Sequence, residues 1–308
     1  MKVLIFGASS KIAESISRIL YTQSKVEIFL VSREKLFTGS HTRFHFLSGN
    51  LHDMAFLRRT IYEIEPDYII NCVAMTDVDA CESSRKDASD INISFNNNII
   101  SFCRIKDIHY IYFSTDYLFD GKKGKYSENA IPNPINNYGR TKHIAENSVR
   151  IGLNKFSVIR TACVFGTSSF GKSNFIQKLI DNLKEGKEFG VVDGLWTTPT
   201  YTDDIAFTVL TIIFSGKIGV FHTAGKTYIN RLQIALETAR VFGLDQSLIR
   251  PINYSELRTL ARRPEKAGLN VENTEKVLDL KYPDLTYSLI AYKHALRDGS
   301  AFYSNYLL

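Results

Sequence analysis

The apolar run Val3-Leu4-Ile5-Phe6 stops at Gly7 and gives way to a helical pattern, and this strand-then-helix unit recurs along the first half of the chain. Residues 2–6, 27–31, 44–47, 68–71, 109–113 and 156–160 are short, nearly continuous apolar runs. Residues 11–21, 54–63, 91–106 and 138–150 carry helical spacing between them. Strands without polar alternation must be covered on both faces, and strand–helix–strand repetition places them parallel. Crossovers of that kind are right-handed, which predicts a doubly wound, Rossmann-type α/β fold.

The rhythm changes after Gly166. Helical patterns at 174–184, 202–214 and 231–242 alternate with short strands at 189–192 and 220–222, and the tail mixes turns, short strands and a final helix. We therefore expect a dinucleotide-binding domain over 1–166 and a smaller α/β substrate lobe over 167–308, interleaved with the last sheet elements at about 202–242.

With 308 residues, 44% of them hydrophobic, the chain has enough material for such a core. The formal charge is +6, but Lys and Arg are scattered without a block of five or six. That argues against a nucleic-acid partner and suits a substrate bearing phosphates. The four cysteines, at 72, 81, 103 and 163, form no Cys-x-x-Cys pair, so neither a metal site nor a disulfide framework is expected. No apolar run approaches the ~20 residues of a membrane span. The N-terminus opens directly into a strand without the pattern of a signal peptide, so cytoplasmic location is expected.

Gly7-Ala8-Ser9-Ser10-Lys11-Ile12-Ala13 joins the first strand to the first helix. In a doubly wound sheet this is where free N–H groups and the positive end of a helix meet a pyrophosphate. Only Gly7 remains of the usual three glycines; Ser10 and Ala13 take the other places. Strand two ends in Ser32-Arg33 without an acidic residue, which favours NADP over NAD, or else leaves Arg33 as a surface cation. Asn50-Leu51, after strand three, is placed to reach an adenine.

Tyr138 and Lys142 stand four apart, on one face of a helix. An ammonium beside a phenol favours the phenolate, and such a tyrosine can pass a proton to a carbonyl oxygen as hydride arrives. Ser114-Thr115, at the end of an earlier strand, supplies a hydroxyl that can polarise the same carbonyl.

These residues resemble the extended short-chain dehydrogenases/reductases and, within them, the dTDP-4-dehydrorhamnose reductases. The likeness runs through Asn71-Cys72-Val73-Ala74, Ser114-Thr115-Asp116-Tyr117, Tyr138-Gly139-Arg140-Thr141-Lys142, Arg160-Thr161-Ala162-Cys163-Val164-Phe165-Gly166, Thr198-Pro199-Thr200-Tyr201 and, more loosely, Arg263-Pro264 with Leu269. It implies Tyr138 as proton donor, Lys142 as ribose anchor and Thr115 as the carbonyl's hydrogen-bond partner. Lys11 and Ile12 would lie along the pyrophosphate, Val73 and Ala74 against the cofactor, and Asp116 at the sugar. The resemblance implies NAD(P)H-dependent reduction of a 4-keto-6-deoxy nucleotide sugar in polysaccharide precursor synthesis, and, by analogy, a homodimer. A non-catalytic dinucleotide-binding regulatory subunit and a nucleotide-sugar epimerase are the alternatives on the same fold. The chain departs from the pattern in its glycine loop, in Asn50 for an expected Asp, and in Cys163 where those reductases carry a sugar-contacting Trp. Trp196, the single Trp, either replaces that wall from the second lobe or packs in a core or interface.

Overall fold

The computed structural model describes residues 1–34, 42–170, 174–256 and 259–297. Residues 298–308 of the expected substrate lobe lie outside the described residues.

In chain order come β1 (Lys2–Phe6), α1 (Lys11–Tyr21), β2 (Glu27–Ser32), β3 (Phe44–Ser48), α2 (Met54–Ile64) and β4 (Tyr68–Asn71). Two short helices follow, α3 (Val78–Ser83) and α4 (Arg85–Ser89), then a π-helical turn at Asp90–Ser94, α5 (Phe95–Lys106) and β5 (His109–Thr115). A 3-10 turn at Asp116–Leu118 leads towards α6 (Asn137–Gly152) and β6 (Phe156–Thr161). The rest comprises β7 (Val164–Phe165), α7 (Phe175–Lys184), β8 (Phe189–Val192), β9 (Thr200–Tyr201), α8 (Thr202–Ser215) and β10 (Gly219–His222). It closes with α9 (Arg231–Phe242), β11 (Ile249–Ile252), α10 (Glu272–Leu278) and α11 (Leu285–Arg297).

Seven strands form one parallel sheet in the order β10-β6-β5-β4-β1-β2-β3. The order reverses between β1 and β4, and it is outside the carboxyl ends of such a pair that doubly wound sheets bind ligands. Period-two alternation divides the strands between two cores. Val3 and Ile5 pack with α1 and α8, whereas Leu4 and Phe6 pack with α2, α5 and α6. All four are fully buried. Each such side chain contributes roughly 1.5–3 kcal/mol over the exposed state.

The seventh strand, β10, comes from beyond Gly166, and its helix α8 covers α1. Ser15 Oγ donates to Thr202 Oγ1 at 2.8 Å, and Arg18 pairs with Asp203. α9 does not join this sheet. It packs on α7, α11, β8 and β11, around Leu179, Ile234, Ala235 and Leu289. Two small parallel pairs, β7 with β9 and β8 with β11, complete that region.

Sequence periodicity does not predict α3 or α4, and the helix expected over 91–106 opens with the π-helical turn before α5. The stretch Ser83-Ser84-Arg85-Lys86-Asp87 is rich in residues that compete with the helical backbone. Long-range bonds flank it instead: before it, Asn137 N donates to Glu82 Oε1 and Asn137 Nδ2 to Cys81 O, both at 2.7 Å, and after it Asn92, buried in the π-turn, donates to Thr141 Oγ1 on α6 at 3.0 Å and accepts from Met75 N at 2.8 Å.

Candidate active site

The β1–α1 loop turns at Gly7 with φ +85°. A Cβ there would lie 2.8 Å from the carbonyl carbon of Cys72, so the turn admits only glycine. Ser10 is the N-cap of α1, its Oγ accepting from Ala13 N at 3.1 Å. The two missing glycines therefore have a physical account. One is replaced by a capping serine, and the other by Ala13, small enough to sit fully buried against the sheet.

Two adjoining cavities open over this loop, of about 460 and 120 Å³, sharing Ser10, Cys72, Val73 and Ala74. Gly7, Arg33 and Leu51 line the smaller. Lys11, Ile12, Thr115, Asp116, Tyr138, Lys142 and Cys163 line the larger. Asn50 lines neither: it is exposed, and its Oδ1 accepts from His52 N at 3.0 Å. Leu51 and His52 form that end of the trench instead. The floor is tied to the helix across it by a buried chain. Asn71 Nδ2 donates to Tyr110 OH at 2.8 Å, which donates to Asn96 Oδ1 at 2.7 Å, and Asn96 Nδ2 reaches Ala145 O on α6 at 3.2 Å.

α6 presents Tyr138 and Lys142 from its first turns. Asn136 caps the helix, accepting from Gly139 N at 2.8 Å. A Cβ on Gly139 would stand 2.2 Å from Tyr117 O, so this glycine lets α6 press against the turn that follows β5. That contact brings Tyr138 beside Thr115 on the wall of the larger cavity. Burial of the phenol pushes its pKa up, and Thr115 partly opposes the shift. The phenol of Tyr138 therefore keeps its proton at neutral pH. Thr115 Oγ1 also lies 3.3 Å from Asp116 Oδ1. Burial lifts Asp116 to about 6, against hydrogen bonds from Gly268 N and Thr115.

Lys142 is buried, and desolvation pulls its pKa to about 7, opposed by the charges of Glu146, Cys72 and Cys81. One turn on, Glu146 makes a two-pronged ion pair with Arg160 of β6, with both side chains buried. Among the described residues, the buried hydroxyls of Ser114 and Thr161 on the cavity wall have no protein partner. A glycine-only turn at a helix N-terminus and unpaired polar groups over a long trench fit an extended polar ligand such as a dinucleotide.

The far wall comes from beyond Gly166: Asn174, Leu195, Trp196, Thr197, Arg231, Pro264 and Ala267. Most of these belong to no motif legible in the sequence. Arg231 opens α9 and brings a positive charge near Cys163 and Tyr117. The Thr198-Pro199-Thr200-Tyr201 turn is a joint: Thr200 Oγ1 donates to Ala162 O at 2.6 Å, and Leu269 N to Thr198 Oγ1 at 3.1 Å. Arg263 pairs with Asp79 at 2.8 Å and so anchors the C-terminal region to α3.

A seven-stranded parallel sheet, a dinucleotide-type loop after β1 and a Tyr-x-x-x-Lys helix closing on the Ser-Thr end of β5 define an extended short-chain dehydrogenase/reductase. The chain belongs to the family described as "RmlD substrate binding domain", matching it over residues 1–297. It is 31% identical over 242 residues to the "Probable low-salt glycan biosynthesis reductase Agl14" of Haloferax volcanii, covering 78% of this chain and 81% of that protein. It is 27% identical over 260 residues to "Methionine adenosyltransferase 2 subunit beta" of Danio rerio, covering 82% and 78%. A crystal structure of a dTDP-4-dehydrorhamnose reductase from Clostridium acetobutylicum superposes with a TM-score of 0.85 at 28% identity, covering 96% of this chain and all of that one.

Proposed function

We propose that this protein reduces the 4-keto group of a 4-keto-6-deoxy nucleotide sugar with NAD(P)H, supplying an activated sugar for polysaccharide synthesis. One observation carries the reading: Thr115, Tyr138 and Lys142 line a single cavity that runs on into the loop at Gly7 and Ser10. The dinucleotide, when bound, supplies the hydride. Thr115 holds the keto oxygen by a hydrogen bond, and Tyr138 gives its phenolic proton to that oxygen, so that the ketone becomes an alcohol. Lys142, a turn along the same face, anchors the ribose and offsets the charge left on Tyr138. Lys11 and Ile12 lie along the pyrophosphate and Val73 and Ala74 pack on the cofactor. Leu51 faces the adenine, and Arg33, on the smaller cavity, favours the 2′-phosphate of NADP. Asp116 and Cys163 face the sugar, and Arg231 the diphosphate.

In this reading residues 1–166 bind the dinucleotide and 167–308 the sugar nucleotide, and the protein acts in the cytoplasm as a homodimer. Among the described residues no helix is long and apolar enough to cross a membrane. A panel of 4-keto-6-deoxy sugars on dTDP, UDP, CDP and GDP, each with NADPH and NADH, tests it. Oxidation of NADPH by one nucleotide class is the expected result. The relatives named as a methionine adenosyltransferase subunit favour a second reading, a dinucleotide-binding regulatory subunit. NADPH binding with no turnover anywhere on the panel would support that reading, and isomerisation without net oxidation would indicate an epimerase.

A further inference from the structure

Trp196 is the only tryptophan in the chain, and it stands on the wall of the larger cavity. Its placement is built. Trp196 N donates to Glu265 O at 2.7 Å, and Ala267 N to Trp196 O at 2.9 Å. The residue before it, Leu195, holds a left-handed backbone at φ 54°, an unfavourable conformation for a leucine. The indole stacks on Tyr228, with ring centres 5.3 Å apart. Tyr228 has little room to shift. A Cβ on Gly124 would lie 2.1 Å from its hydroxyl, and one on Gly268 would lie 3.1 Å from its ring.

The platform lies close to the reacting end of the cavity. Thr197, the next residue, has its Oγ1 3.4 Å from Asp116 Oδ2, and Asp116 adjoins Thr115. Leu195, Ala267 and Cys163 share the wall and offer little hydrogen bonding. An aromatic face flanked by Leu195, Ala267 and Cys163 suits the C–H-rich face of a pyranose, and a methyl in place of a hydroxymethyl group asks for no polar partner, while Thr197, Asn174 and Arg231 leave polar groups elsewhere on the wall.

We infer that Trp196 is a specificity-determining residue, the platform on which the 6-deoxy sugar ring rests during reduction. The inference rests on the nucleotide-sugar reading above. It assigns the ring, rather than the nucleobase, to the indole.

Because Trp196 is the sole tryptophan, its emission reports this wall directly. The full-length protein is titrated with dTDP-rhamnose, dTDP-glucose and dTDP, with calorimetry in parallel. dTDP-rhamnose is expected to change the emission strongly, dTDP-glucose less, and dTDP hardly at all. In kinetics, Trp196→Ala raises KM for the keto sugar by about tenfold or more, while kcat and the KM for NADPH stay near wild type. Trp196→Phe retains most of the affinity, and covers the case in which the alanine variant fails to fold. Equal emission changes with dTDP and dTDP-rhamnose would assign the indole to the base and overturn the inference. So would calorimetric binding of dTDP-rhamnose with unchanged emission, or an unchanged KM in Trp196→Ala, and either result would leave the reductase reading standing. Absence of dTDP-rhamnose binding, together with no turnover on the keto-sugar panel, would overturn both.

Discussion

Lys142 holds its ammonium 4.2 Å above the centre of the Tyr112 ring, with its side chain almost wholly removed from water. Among the described residues it has no ion-pair partner within contact distance, and burial lowers its pKa from 10.5 to about 7. Between those values the unfolded chain binds one more proton than the folded one, so this site adds stability as pH rises. Below about 7 both states carry the proton and the full burial cost is felt. We expect Lys142→Met to melt above wild type at pH 7 and the gap to close towards pH 10.5, while turnover is lost. Thermal melts of the two proteins across that range check it.

Tyr138→Phe keeps the ring that meets Tyr117 edge-on at 5.9 Å and removes only the phenolic hydroxyl. Turnover should fall by about 10²–10⁴, the ordinary worth of a positioned general acid. The melting temperature and calorimetric NADPH affinity should stay near wild type.

Gly139→Ala tests the close approach of α6 to the turn after β5. Its methyl would meet Tyr117 O, a backbone atom that cannot rotate away. We expect a loss of about 1–3 kcal/mol, as for other overpacked sites. A fall in kcat larger than the loss of folded protein should accompany it, because Tyr138 moves with the helix. Urea titration and steady-state kinetics separate the two.

Glu146 and Arg160 are at most 1% exposed, so removing one partner strands a buried charge. Glu146→Leu should cost about 3–5 kcal/mol. The double variant Glu146→Leu with Arg160→Met should recover most of that. A double-mutant cycle by denaturant unfolding measures the coupling.

Arg33→Gln tests the cofactor assignment. A charge-assisted contact to a 2′-phosphate is worth about 1.5–3 kcal/mol, so KM for NADPH should rise about tenfold or more while KM for NADH is unchanged. Equal effects on both cofactors would remove Arg33 from the site.

Much of this architecture was legible in the sequence because its signals are local. Strands buried on both faces announce themselves as apolar runs, and Thr115, Tyr138 and Lys142 lie within short motifs. Asn50 illustrates the limit. Its place after β3 suggests an adenine contact, but its Oδ1 accepts from His52 N within its own turn and the residue lines neither cavity. Asn92, Leu195 and Arg231 reach their places by packing between segments far apart in the chain, and residue type alone does not encode that. The helix α3 escapes a periodicity argument because it is only six residues long and is tied by Asn137 of α6, whose N donates to Glu82 Oε1 and whose Nδ2 donates to Cys81 O.

The place of β10 at the edge of the main sheet has a consequence for synthesis. β6 cannot gain its outer neighbour, nor α1 its cover of α8, until the chain has been made to His222. A nascent chain stopped at Gly166 would carry α6 with Tyr138 and Lys142 but leave a bare strand edge and an uncovered apolar helix, both prone to self-association. The long sequence separation of these contacts also slows their formation. The candidate site is thus encoded early and its sheet completed late, and a ribosome-arrested series should show binding of a nicotinamide dinucleotide only after β10 has emerged.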